Sequence, residues 1–286
     1  MKKKIIGLII LFVTYLLAFL IGLLVFKFLE NRIDIIYNIL IANVISTIFV
    51  WLIGIIFKTA SVYDPYWSIQ TIAIYIPLMF YTKTINVGSI ILLVCILFWA
   101  IRLTYNFIIG FNDISYIDWR YKMLKEKCKS LYQIVSLLGI HMVPTLIVYF
   151  ASIPAFLYLI NGNDFSILNI IGLIIMVIAT FLELFADLDM KKFKEVRTSK
   201  NQIISIGLWK YSRHPNYLGE ILFWYGLALV FILSNISMWY VIGGAILNTL
   251  LFLFISIPMA ENHMKQYKEG YTEYQKQTRM LLPIKK

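Results

Sequence analysis

The sequence predicts an all-α fold: a polytopic integral membrane helix bundle with seven or eight transmembrane helices and a cytoplasm-facing C-terminal core. Of its 286 residues, 60% are hydrophobic and 14% charged, and the mean hydropathy is +0.80, values foreign to a soluble globule. Apolar runs of the length that crosses a hydrocarbon core, about 20 residues, recur along the whole chain. The charges gather in short clusters between those runs.

The opening MKKKIIGLIILFVTYLLAFLIGLLVF has the charged start of a signal peptide. Its apolar run is long enough to span and lacks a small-residue cleavage site, so it reads as a retained helix over 5–26. Further helices are expected at 35–57, 66–81 and 87–109, the third of the series being short and holding Pro77. The long run at 131–160 carries Pro144 and Pro154, which predict a kink or a break. Helices at 166–186, 215–233 and 238–260 complete the set. Pro215 opens the penultimate one, because proline at a first turn has no amide bond to forfeit. With no internal repeat and no low-complexity linker, the chain reads as one bundle. Its N-terminal transmembrane helices occupy 1–57 and a C-terminal membrane domain occupies 58–286.

Eight spans with a cytoplasmic N-terminus place Lys2 to Lys4, Lys58, the groups Arg120 to Lys129 and Lys191 to Arg213, and the basic residues from Lys265 to Lys286 inside. Only Lys27, Arg32 and Lys83 then lie outside, as the positive-inside rule requires. Both termini are therefore expected in the cytoplasm, in a bacterial cytoplasmic membrane or, in a eukaryote, the endoplasmic reticulum. The net charge of +11 follows the same pattern. Anionic lipid and topology explain it, and no nucleic-acid partner is expected. Cys95 in an apolar run and Cys128 in a basic loop give no disulfide framework, and isolated His141 gives no ligand spacing, so no metal is expected.

Several polar residues stand where lipid would penalise them. Arg102 and Asn106, four apart in WAIRLTYNFIIG, share a helical face; the arginine either snorkels or joins a ligand pocket. Glu183 and Asp187 repeat that spacing in FLELFADLDMKKF, as partners for Lys191 or Arg213 or as a binding pair. In SVYDPYWSIQ, Asp64 suits a helix cap ahead of the following helix, while Tyr63, Tyr66 and Trp67 suit an interfacial aromatic belt. The tail, with Glu261 followed by Tyr267, Tyr271 and Tyr274 among lysines, reads either as an amphipathic interfacial helix or as a basic, aromatic wall for a phosphate-bearing cofactor.

The densest polar stretch is SRHPNYLGE. Arg213 stands just outside the helix that Pro215 starts, and Asn216, Tyr217 and Glu220 present amide, phenol and carboxylate through its first turns. Gly219 permits close approach by a neighbouring helix or a cofactor. This arrangement suits a charged cofactor entering from the cytoplasm and an apolar lipid substrate entering from the bilayer, although a positively charged helix start draws on the same residue types.

GLWKYSRHPNYLGE, together with SVYDPYW, IRLTYNF, DWRY, ELFADLDMKKF and GYTEYQKQTRMLLP, resembles the steroid 5-alpha-reductase C-terminal-like membrane superfamily, over roughly residues 58–284. The resemblance implies a C-terminal catalytic core in which the RHPNY-x-G-acid segment holds NADPH, nominating Arg213, His214, Asn216, Tyr217 and Glu220. Isoprenylcysteine carboxyl methyltransferases share a related RHP-x-Y-x-G segment but bind S-adenosylmethionine; Asn216, Glu220 and the single Glu261 sit closer to the reductase pattern. The expected activity is therefore NADPH-dependent reduction of a carbon–carbon double bond in a steroid-like, isoprenoid or other lipid. Glu183, Asp187 or Tyr217 would polarise the substrate or supply a proton. Arg102, Asn106, Glu261, Tyr271 and Tyr274 would complete the cofactor surface. An S-adenosylmethionine-dependent lipid methyltransferase and a non-enzymatic membrane or transport protein are the alternatives. The lipid and the oligomeric state stay open.

Overall fold

The computed structural model describes residues 2–282 and is all-α, with helices α1 Lys2–Leu29, α2 Ile35–Ile56, α3 Tyr66–Tyr81, α4 Val87–Gly110, α5 Trp119–Cys128, α6 Tyr132–Val135, α7 Val143–Ile160, α8 Asn169–Val196, α9 Pro215–Ile232, α10 Gly243–Leu251, α11 Ile257–Tyr267 and α12 Tyr271–Gln277. Among the described residues, seven helical stretches are long and apolar enough to cross a membrane. The protein is an integral, polytopic membrane protein. Helix α3 has 16 residues. At 1.5 Å per residue it falls short of a hydrocarbon core about 30 Å thick.

The long run expected at 131–160 is interrupted by a π-helical turn at Ser136–Met142, ahead of Pro144, while Pro154 lies inside continuous α7. A second π-helical turn, Phe252–Ser256, joins α10 to α11. Helix α8 runs ten residues beyond the expected end at 186, so Glu183, Asp187 and the lysines that follow belong to one helix.

The chain forms two compact units. The first takes the described residues of 1–85, 99–150 and 159–162; the second takes those of 86–98, 151–158 and 163–286, so the division falls inside α4 and α7.

In the first unit, α1 buries Gly7, Leu11, Thr14 and Ala18, a stripe at helical spacing. Ile5, Ile9, Phe12, Leu16, Leu20 and Leu24 are exposed. This is the pattern of a helix solvated by lipid, where large apolar side chains face the bilayer and small ones let backbones approach. Ser46 Oγ of α2 donates to the Ala18 carbonyl at 2.8 Å, and Asn38 Nδ2 donates to the Phe26 carbonyl at 2.8 Å, tying α2 to α1. Asp34 caps α2 by accepting from the Ile36 amide.

The residues expected to form an aromatic belt lie inside instead. Tyr63 and Tyr66 are buried, Tyr63 bonds to Thr145 at 2.8 Å, and Trp67 packs edge-on against Trp99. Asp64 does not cap α3 either. Pro65 occupies the cap position without a side-chain bond, and Asp64 accepts the Tyr121 hydroxyl. Burial pushes its carboxyl up to about 6, the nearby Arg120 opposing the shift.

The second unit is built on the antiparallel pair α8 and α9. A Cβ on Gly172 would meet the Gly226 carbonyl and the Val230 amide nitrogen at 2.5 Å, and one on Gly226 would meet the Gly172 carbonyl at 2.9 Å. Backbone touches backbone, which only glycine allows. One end of the seam is fixed by Asn169, whose Nδ2 donates to the Val230 carbonyl and to Ser234 Oγ. Helix α9 itself buries Phe223, Trp224, Leu227 and Phe231.

Candidate functional site

Pro215 begins α9 and His214 is its cap residue, so the SRHPNYLGE stretch folds as a tight entry into the most enclosed helix of the second unit. The approach to it is fixed upstream. Gly207 adopts φ +53°, and a Cβ there would strike the Asp189 carboxylate, which accepts the Leu208 amide at 3.1 Å. The short 3-10 turn Gly207–Lys210 then buries Trp209, whose Nε1 donates to the Ala186 carbonyl at 2.9 Å.

The tail closes over this entry. Ser212 and Arg279 form an isolated parallel bridge, with the Arg213 amide donating to the Arg279 carbonyl at 2.9 Å. Arg213 Nε donates to Glu261 Oε1 at 2.7 Å, and its Nη1 donates to the Gln275 carbonyl at 3.2 Å and to the Thr278 carbonyl. His214 Nε2 lies 3.0 Å from the same Glu261 oxygen, while Gln275 Nε2 donates to the other one. Glu261 of α11 thus joins the start of α9 to α12. Charge-assisted bonds of this kind are shorter and stronger than neutral ones.

The sequence placed Arg213 and Glu261 at one site, and they are in direct contact. Arg213 takes Glu261 as its acidic partner rather than Glu183 or Asp187. His214 stacks on Tyr217, ring centroids 5.2 Å apart and 6° from parallel, and the Phe252 ring lies 4.8 Å from the same phenol ring, tilted by 43°. Glu220 accepts Trp224 Nε1 at 2.8 Å, so this carboxylate is engaged within its own helix. Gly219 receives a neighbouring helix, since a Cβ there would meet Glu183 Cγ and the Ala179 carbonyl. Glu183 is accordingly buried beneath the first turns of α9, with Asp187 one turn further along α8 and half-buried.

Tyr271 is buried and Tyr274 donates its hydroxyl to the Trp209 carbonyl, so α12 folds onto the unit with these two aromatic side chains inward, while Tyr267 is exposed. Burial raises both phenols, Tyr274 to about 12, with the Arg213 cation opposing and the Glu261 anion adding to the rise. Arg102 and Asn106 belong to the first unit; Arg102 is buried and Asn106 exposed. Pro283 and the final lysines lie outside the described residues.

Two features of this entry are suited to an anion, and a third is suited to a neutral hydrogen-bond donor. Helix α9 has 18 residues, and no side chain caps its N-terminus, leaving the positive end of its dipole available. Arg213 is held in one orientation, and among the described residues its Nη2 makes no hydrogen bond. Asn216 Oδ1 is buried without a partner among the described residues.

Residues 50–278 match the model of the family described as a protein of unknown function, DUF1295. The chain belongs to that family. An uncharacterized protein of the fission yeast Schizosaccharomyces pombe is 26% identical over 211 residues, which cover 65% of this chain and 60% of that protein. The chain thus spans about three fifths of this relative's length. No solved structure matches. The DUF1295 region contains the clamp residues from Asp189 to Thr278, and Arg279 follows directly after it, so the site is built almost wholly from family sequence.

The sequence did not single out Trp209, Asp189, Gln275 or Thr278, all of which position the site. Thr278 acts through its main-chain carbonyl, and Gln275 through its carbonyl as well as its side-chain amide, and a carbonyl leaves no trace in residue type. The partners of Arg213 lie 48 to 65 residues away, beyond any helical periodicity.

Proposed function

We propose that this DUF1295 protein is a membrane oxidoreductase that uses NADPH to reduce a carbon–carbon double bond in an apolar lipid, with the nucleotide's phosphates received at the start of α9. The observation that carries this reading is the uncapped N-terminus of an 18-residue helix beside an arginine already locked by Glu261 and two carbonyls. An anion arriving there meets donors that need no reorganisation. Asn216, with a buried oxygen lacking a partner, would accept from a ribose or amide group.

NADPH, when bound, supplies a hydride for one carbon of the double bond. The protein's part is to orient the reactants, exclude water and provide a proton for the other carbon. Tyr217, in ring contact with both His214 and Phe252, is the candidate proton donor, and Glu183 and Asp187 are the nearby carboxyl groups along α8. In this reading the cofactor enters from the cytoplasm, the side that the positive-inside rule gives to the basic loops at 110–130 and 187–214 and to the basic tail.

Purified protein in nanodiscs titrated separately with NADPH and S-adenosylmethionine tests the proposal. NADPH should bind saturably, and Arg213→Lys and Asn216→Ala should each weaken it by about tenfold, the equivalent of one charge-assisted hydrogen bond. Asn216→Ala removes a group whose oxygen has no partner, so it should leave the fold intact. Binding of S-adenosylmethionine alone would reassign the site to methyl transfer, and binding of neither would end the enzymatic reading.

A further inference from the structure

The first unit contains an open-sided cavity of about 620 Å³ lined by α1, α2 and α3. That volume is in the range of sites that enclose small molecules. The wall is almost entirely aliphatic and aromatic, with Phe26, Ile39, Ile74 and Leu78 among its residues. Two amides interrupt it, besides Ser46 and the charged Lys27 and Glu30. Gln70 is 3% exposed and neither its Oε1 nor its Nε2 has a hydrogen-bond partner among the described residues; Asn43 is 5% exposed and its Nδ2 has none either.

A buried amide without partners costs stability, and within a membrane bundle bulk water is not at hand to relieve it. Three such atoms, carried by two residues that line one apolar cavity, mark a place where stability has been given up, which is characteristic of a binding site. A leucine would fill either position more cheaply.

The chemistry of the occupant follows from the set. Two donors, Gln70 Nε2 and Asn43 Nδ2, and one acceptor, Gln70 Oε1, are the complement of a hydroxyl, which offers two lone pairs and one O–H. A carboxylate would bring negative charge against Oε1, and an ammonium would leave both amide donors unsatisfied. Lys27 and Glu30 also line the cavity, and their opposite charges give no net attraction for an ion. We infer that this cavity binds a neutral lipid alcohol, its hydroxyl held by Gln70 and Asn43 and its hydrocarbon body by the apolar wall. The site lies wholly within the first unit and does not depend on the cofactor reading.

The test uses the full chain in nanodiscs with three photoreactive probes of equal length, diazirine-bearing hexadecanol, hexadecanoic acid and hexadecane. Hexadecanol should label α2 or α3 saturably, compete with unlabelled hexadecanol, and bind about tenfold more tightly than the other two probes. Gln70→Leu and Asn43→Leu should each weaken the alcohol severalfold and leave the hydrocarbon unchanged. Their thermal midpoints should equal or exceed that of the unaltered protein, because each replacement removes an unsatisfied amide. Equal labelling by alcohol and hydrocarbon, stronger labelling by the acid, or a fall in midpoint in both leucine variants would overturn the assignment. Asn43 and Gln70 stand on different helices, so failure of one variant to fold leaves the other to decide.

Discussion

Glu261→Ala removes the acceptor of three side-chain bonds at once, from Arg213, His214 and Gln275. The Arg213 and Glu261 side chains are 10% and 12% exposed, so the arginine loses its counter-ion where water cannot replace it. Breaking a buried pair from one side costs about 3–5 kcal/mol, and that range is expected here. Glu261→Gln keeps the shape and one oxygen but not the charge, and should cost about 1.5–3 kcal/mol. Arg213→Ala also frees the Gln275 and Thr278 carbonyls, so it should loosen α12 further. The decisive quantity is the coupling in a double-mutant cycle of Arg213→Ala and Glu261→Ala, expected at about 2 kcal/mol. Equilibrium unfolding in mixed detergent micelles gives the four free energies, and hydrogen exchange over 268–282 reports whether the tail is released. If the two single effects add to within about 0.5 kcal/mol, the pair does not hold the tail and the clamp reasoning fails.

The glycine seam of α8 and α9 predicts that Gly172→Ala and Gly226→Ala each destabilise by about 1–3 kcal/mol, because the new methyl meets backbone that cannot swing aside. Gly243→Ala, where a Cβ meets nothing within 4 Å, is the control and should be neutral or better in the same unfolding assay. At Asp64 the folded carboxyl is raised from the usual 3.8 to about 6. The folded state therefore holds its proton more tightly than the unfolded state. The resulting stability is fully present below pH of about 4 and is lost as pH rises through about 6, to the extent of about 3 kcal/mol. Asp64→Asn should flatten this part of the pH profile; a mutant profile parallel to that of the unaltered protein between pH 4 and 7 would show that Asp64 does not titrate there.

Much of the architecture was legible because burying apolar side chains in lipid leaves a long, repetitive signal. The spans at 35–57, 66–81, 87–109 and 215–233 agree with α2, α3, α4 and α9 to within a residue at either end. Pro215 starts its helix because a missing amide is harmless only there. In the long run before α7 the irregularity expected from proline falls in the turn just ahead of Pro144, where a proline disturbs the preceding backbone, whereas Pro154 is carried inside a continuous helix. Asp64 misled, because an aspartate before a proline suits a cap, but Tyr121, 57 residues away, offered a stronger partner. Tyr63 and Tyr66 suit an interface and a core equally in composition, and only packing distinguishes the two.

By itself, the sequence determined that the protein crosses a membrane and that polar chemistry collects at the start of α9. Both follow from local quantities, the length of an apolar run and the residues flanking a helix end. The tertiary structure decided what those polar residues do. It gave Arg213 to Glu261, Glu220 to Trp224 and Gly219 to the neighbouring helix, and it gathered Gln70 and Asn43 around an apolar cavity. Such pairings join residues far apart in the chain, and geometry selects one partner where residue type permits several.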